Sequence, residues 1–144
     1  MRAKVKTRAF LVGLVVVLAC AAAGAQDVII VTYKGTWDSQ ITASQLREIF
    51  TGVRSRFADG TRAVPVVLKG GPVHEVFLRK HVGEGPNEFR AHWRKAVFTG
   101  QGSMLKEFAS EGALLDYVSV TPGAIGYVSR VNDPESVRVV TVSP

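Results

Sequence analysis

The chain has 144 residues, enough for one domain and short for two, and its 47% hydrophobic and 21% charged content excludes a disordered chain. The formal charge of +6 overstates its basicity: Arg2, Lys4, Lys6 and Arg8 open the chain, and beyond them 14 Lys and Arg face 12 Asp and Glu. A nucleic-acid-binding role argued from net charge is thereby excluded.

Residues 1–25 read as a cleavable secretory signal peptide. A basic stretch ends at Arg8, an apolar stretch runs from Ala9 to Cys20, and Ala23-Gly24-Ala25 offers small residues before Gln26. A membrane anchor is excluded because the apolar run falls short of the ~20 residues that span a bilayer, and no charged stop signal follows. Val17-Leu18-Ala19-Cys20 gives a second reading, a lipoprotein attached through Cys20, with Leu18 a less usual choice. Cleavage after Ala25 is the expectation, leaving residues 26–144 as one periplasmic domain. Cys20 is the only cysteine, so that domain has no disulfide and relies on its core.

Val28 to Tyr33 is an apolar, β-branched run and predicts a buried strand. Thr42 with Gln45 forms a capping box for a helix whose Leu46, Ile49 and Phe50 share one face, and Gly52 stops it. Val64 to Leu68 predicts a second strand, with Pro65 marking an edge or a strand start. Pro72 suits the first position of a helix that Gly83 closes, and a further helix opens near Pro86 with Phe89 and Trp93 on its core face. Thr99 to Ser103 is a loop, Ser110 caps another helix, and strands follow at Ala124 to Val128 and Val137 to Val142. Strands and helices alternate without long linkers, which predicts one α/β layer domain.

Three blocks carry a resemblance. They are Ser44-Gln45-Leu46-Arg47-Glu48-Ile49-Phe50-Thr51-Gly52 with Val64-Pro65-Val66-Val67; Phe77-Leu78-Arg79 with Phe89 to Trp93 and Phe98-Thr99-Gly100; and Thr121-Pro122-Gly123-Ala124-Ile125-Gly126-Tyr127-Val128. Their order and spacing resemble the phosphate-type periplasmic substrate-binding proteins of ABC transporters, and in particular the short, single-lobe relatives. The resemblance implies a single lobe of a type II periplasmic-binding-protein-like fold, a small mixed sheet flanked by helices. It also implies an ABC transporter or another envelope protein as partner and phosphate or a related oxyanion as ligand. Full-length members carry an Arg-Ser-Asp-Gly-Ser-Gly-Thr-like run where this chain reads Leu68-Lys69-Gly70-Gly71-Pro72-Val73-His74. The Ser and Thr hydroxyls and the Asp are missing, so the binding implied is weak.

Two loops are candidate oxyanion sites. Lys69-Gly70-Gly71 enters a helix, where free N–H groups and the positive dipole end suit an anion, with Lys69 and a protonated His74 adding charge. Thr99, Gly100, Gly102 and Ser103 offer a second cradle of N–H groups and hydroxyls. Arg54, Arg56 and Arg62 make a basic loop for which an anionic ligand or lipid headgroups are one reading and a solvated loop is the default. His74 and His81 stand seven apart, too far to share a zinc ion without a third element, and no metal or cofactor is expected. Nothing pairs a nucleophile with a base, and no catalytic activity is expected. The rival reading is an envelope interaction module that kept the fold and lost the ligand.

Overall fold

The computed structural model describes residues 27–36 and 39–144. The expected signal peptide, Cys20 and the expected start at Gln26 lie outside the described residues.

A six-stranded mixed sheet forms the spine. In chain order the elements are β1 (Ile29–Tyr33), β2 (Gln40–Thr42), α1 (Ala43–Phe50), β3 (Val64–Leu68), α2 (Pro72–Phe77), α3 (Pro86–Phe98), β4 (Lys106–Phe108), α4 (Glu111–Val120), β5 (Ala124–Val128) and β6 (Val137–Ser143). The strand order is β2-β6-β1-β5-β3-β4. β1 runs antiparallel to β5 and β6, whereas β3 runs parallel to both β4 and β5. β1 and β5 are central, which explains why both are apolar runs rather than alternating ones.

Local chemistry sets most boundaries. The Thr42 hydroxyl accepts the Gln45 N–H at 3.1 Å and the Gln45 side chain returns the bond to the Thr42 N–H at 3.1 Å, completing the expected capping box. Ser110 caps α4 by accepting the Ala113 N–H at 3.2 Å. The helix from Pro72 changes character midway. After Phe77 it widens into one π-helical turn, Leu78–Val82, closed by the Gly83 N–H donating to the Leu78 carbonyl at 2.7 Å. That wider turn keeps Phe77, Leu78 and Val82 all buried.

Pro65 marks a strand start and not an edge. β3 is an interior strand, but its pairing with β4 begins only at Val66, after the residue that lacks an N–H. The edge strands are β2 and β4, each three residues long and absent from the expected elements.

The core joins both faces of the sheet to the helices. Phe50, Phe77 and Ile125 are fully buried and Trp93 nearly so. Gly126 on β5 makes one close approach possible. A Cβ there would lie 2.8 Å from a Leu114 methyl and 3.0 Å from a Val66 methyl, so its absence lets α4 seat on the sheet. No described helix is long and apolar enough to cross a membrane.

Candidate functional site

β3, β4 and β5 run in the same direction, so the loops leaving them gather at one end of the sheet. The C-terminal end of β3 delivers Lys69, Gly70 and Gly71 to the start of α2. Gly71 has φ +97, a conformation that favours glycine, and gives α2 no side-chain cap. Beside it, the end of β4 delivers Ser110 and Glu111 to the start of α4, and these face Gly70 and Gly71 across a small cleft. Two helix N-termini therefore converge, a geometry suited to negative charge.

One carboxylate of the protein already stands there. Glu111 accepts the Ser129 N–H through Oε1 and the Ser129 hydroxyl through Oε2, the latter at 3.0 Å. It thus stands at the positive end of α4.

Lys69 and His74 share the adjoining cleft, and Arg90 and Glu107 complete its polar lining against Phe89, Trp93 and Met104. Lys69 and Arg90 are exposed. His74 is buried, and its Nδ1 is hydrogen-bonded to the Tyr127 hydroxyl. Burial pushes the His74 pKa below its ordinary value; Arg90 adds to this, while Glu107 and Glu75 oppose it. Burial thus disfavours the protonated His74 expected from the sequence, and the ring packs in the core at the cleft wall.

The Thr99–Ser103 loop lies elsewhere. Gly102 and Ser103 line an open groove with Val64 and Pro65, at the N-terminal end of β3. Lys69 follows the opposite end, about 13 Å away at ~3.3 Å per strand residue. Thr99 is occupied with ending α3, its hydroxyl donating to the Lys95 carbonyl at 2.9 Å. Gly100, with φ +72, donates its N–H to the Val97 carbonyl at 3.1 Å. The two loops are not brought together, and the second one is a helix terminator.

Sequence reasoning missed Arg90, Glu107, Glu111 and Ser129. Arg90 had the right helical spacing to face away from the Phe89–Trp93 stripe, but no local signal says which cleft α3 borders. Glu111 carried a usable signal, as an acid directly after a helix cap. Among the described residues no cluster of metal-ligating side chains occurs.

The fold is that of the phosphate-type periplasmic substrate-binding proteins, and the described residues form one α/β lobe of it. Solved structures similar to this chain include the following three. The first is a protein assigned as a phosphate ABC transporter substrate-binding protein, with bound phosphate, from Clostridium perfringens, with a TM-score of 0.60 and 21% identity over 80% of this chain and 44% of that one. The second is an ABC-type phosphate transport receptor from Vibrio cholerae, with a TM-score of 0.57 and 13% identity over 80% of this chain and 45% of that one. The third is PstS from Borrelia burgdorferi, with a TM-score of 0.58 and 16% identity over 80% of this chain and 46% of that one. This chain thus spans less than half the length of each. No protein-family model matches the sequence, and no curated protein matches it significantly.

Proposed function

We propose that the chain is an exported solute-binding-type protein of the periplasm that holds a small oxyanion of the phosphate class weakly and has no catalytic role. Its signal peptide is residues 1–25 and its mature domain is residues 26–144. The carrying observation is the cleft shared by Lys69, His74 and Arg90, in a fold whose solved neighbours are named for phosphate transport. Lys69 and Arg90 supply positive charge. The N–H groups around Gly70, Gly71 and the first turn of α2 supply directed donors. An ABC transporter or another envelope protein receives the loaded domain.

Weakness follows from the same geometry. Glu107 lies in the cleft and Glu111 in the adjoining one, so an incoming anion meets two like charges. The open faces also leave a small ion to compete with its own hydration. A dissociation constant on the order of 0.1 mM or weaker is expected, equivalent to about −5.5 kcal/mol. Calorimetry with phosphate and sulfate at low salt is the test. Heat that disappears with added salt and in Lys69→Ala supports the reading. No heat and no thermal stabilisation at millimolar anion would sink it and leave the interaction module. Intact mass of the cell-envelope form tests the leader. A start at Gln26 supports a free periplasmic protein, and a diacylglyceryl-modified Cys20 would make it a lipoprotein.

A further inference from the structure

Positive charge and exposed apolar surface concentrate in two segments of the chain. Residues 51–62 and 93–106 hold six Lys and Arg against one carboxylate, Asp59, while the remainder of residues 27–144 holds eight against eleven. The same two segments hold four of the six large apolar side chains that stand exposed among the described residues: Val53, Val97, Phe98 and Met104, with Phe98 92% exposed.

The two segments meet in space. The Trp93 indole lies between Gly52 and Gly102, where a Cβ would approach the ring to 2.9 Å and 3.1 Å respectively. Both segments line one groove at the N-terminal end of β3. Among their cations, Arg54 is paired with Glu48 at 2.8 Å, and Lys106 lies 4.7 Å from the centre of the Tyr117 ring. Arg56, Arg62, Arg94 and Lys95 have no carboxylate partner among the described residues.

We propose that this face docks on a lipid surface rich in anionic phospholipid, with Phe98 and Val53 entering the headgroup region and Arg94 and Lys95 facing lipid phosphates. Positive charge combined with protruding apolar side chains is the composition of an interfacial contact. Val97 and Phe98 are the last two residues of α3, and Val53 stands in the loop after α1. A deformable headgroup layer accommodates such projections, whereas a rigid protein partner requires matched pockets for them. The proposal rests on this surface alone and stands independently of oxyanion binding.

Cosedimentation tests it, using the protein as its cells deliver it and vesicles of phosphatidylcholine with or without phosphatidylglycerol. Binding to the anionic vesicles alone, weakened by salt, is expected. Lys95→Glu should lower partitioning about tenfold, since one cation near an anionic surface is worth roughly fivefold and reversal exceeds removal. Phe98→Ser should lower it severalfold at constant charge. Arg130→Glu, an equal charge change after β5 at the other end of the sheet, should leave it unchanged. All three positions are exposed, and thermal unfolding verifies the fold. The proposal is overturned if anionic vesicles do not bind, if Lys95→Glu and Phe98→Ser bind normally, or if Arg130→Glu is as damaging as Lys95→Glu. Capture by polyglutamate without vesicle binding also overturns it, in favour of an acidic protein partner.

Discussion

The Tyr127 hydroxyl on β5 is hydrogen-bonded to His74 Nδ1 on α2, inside the core. The same oxygen accepts the Leu68 N–H of β3 at 3.0 Å, so one atom ties two strands and a helix. A phenolic hydroxyl both donates and accepts, so one oxygen serves the Leu68 amide and the His74 ring together. Burial pushes the Tyr127 pKa up and the His74 pKa down, because it disfavours the anion of one and the cation of the other. The Tyr127 ring also stacks on Phe77 with centroids 3.8 Å apart.

Tyr127→Phe keeps that stack and removes the shared oxygen. The Leu68 amide and His74 Nδ1 then lose their partner. Stability should fall by about 1–3 kcal/mol, the cost of leaving buried polar groups unpaired. Urea unfolding measures it through a lower midpoint at constant slope. A midpoint equal to wild type would mean that the hydroxyl contributes nothing to the core.

Stability should fall as pH drops below about 6.5. His74 and His81 both have pKa values lowered by burial, with Lys80 adding to the effect at His81. The unfolded chain therefore binds protons first, and stability is lost between the ordinary value of 6.5 and the lower folded values. NMR titration of the two rings checks this. A folded His74 that titrates above 6.5 would reverse the sign.

Trp93→Ala should cost about 3–5 kcal/mol. The indole is buried, packs between Gly52 and Gly102, and donates its N–H to the Phe50 carbonyl at 3.0 Å. Trp93 thereby fixes the spacing of the two loops that form the proposed lipid-facing surface. Chemical denaturation gives the value, and a near-neutral result would remove Trp93 from the core.

Two glycines with similar backbone angles should respond differently to alanine. Gly123 has φ +81, and a Cβ there would lie 2.2 Å from the Arg62 carbonyl oxygen. Gly100 has φ +72 with nothing within 4 Å. Gly100→Ala should cost about 1 kcal/mol, the backbone penalty alone. Gly123→Ala should cost clearly more, at least about 2 kcal/mol, because the backbone must also move. Equal melting temperatures for the two variants would show that the turn at Gly123 yields freely.

Glu111→Gln tests why the proposed oxyanion affinity is low. It keeps a side chain able to accept from Ser129 while removing a negative charge near the start of α2. Phosphate binding should strengthen about fivefold, as a neighbouring surface charge is worth about 1 kcal/mol. Calorimetry at low salt reads the change, and unaltered affinity would place the anion away from Glu111.

Much of the architecture was written locally. The Thr42–Gln45 capping box, the Ser110 cap and the apolar runs at β1, β3 and β5 each depend on residues a few positions apart, so the sequence alone determined those elements and the α/β class. β2 and β4 escaped because a three-residue edge strand has no period and exists only through its partners, β6 for one and β3 for the other. Tertiary structure alone decided the candidate site. Lys69, His74 and Arg90 come from a loop and two helices, and only the parallel course of β3 and β4 sets their clefts beside Glu107 and Glu111. It likewise buried His74 and lowered its pKa, because desolvation depends on what packs around a ring and not on its neighbours in the chain. The same packing sent the Thr99–Ser103 loop to the far end of β3, where it joins the basic face built around Trp93.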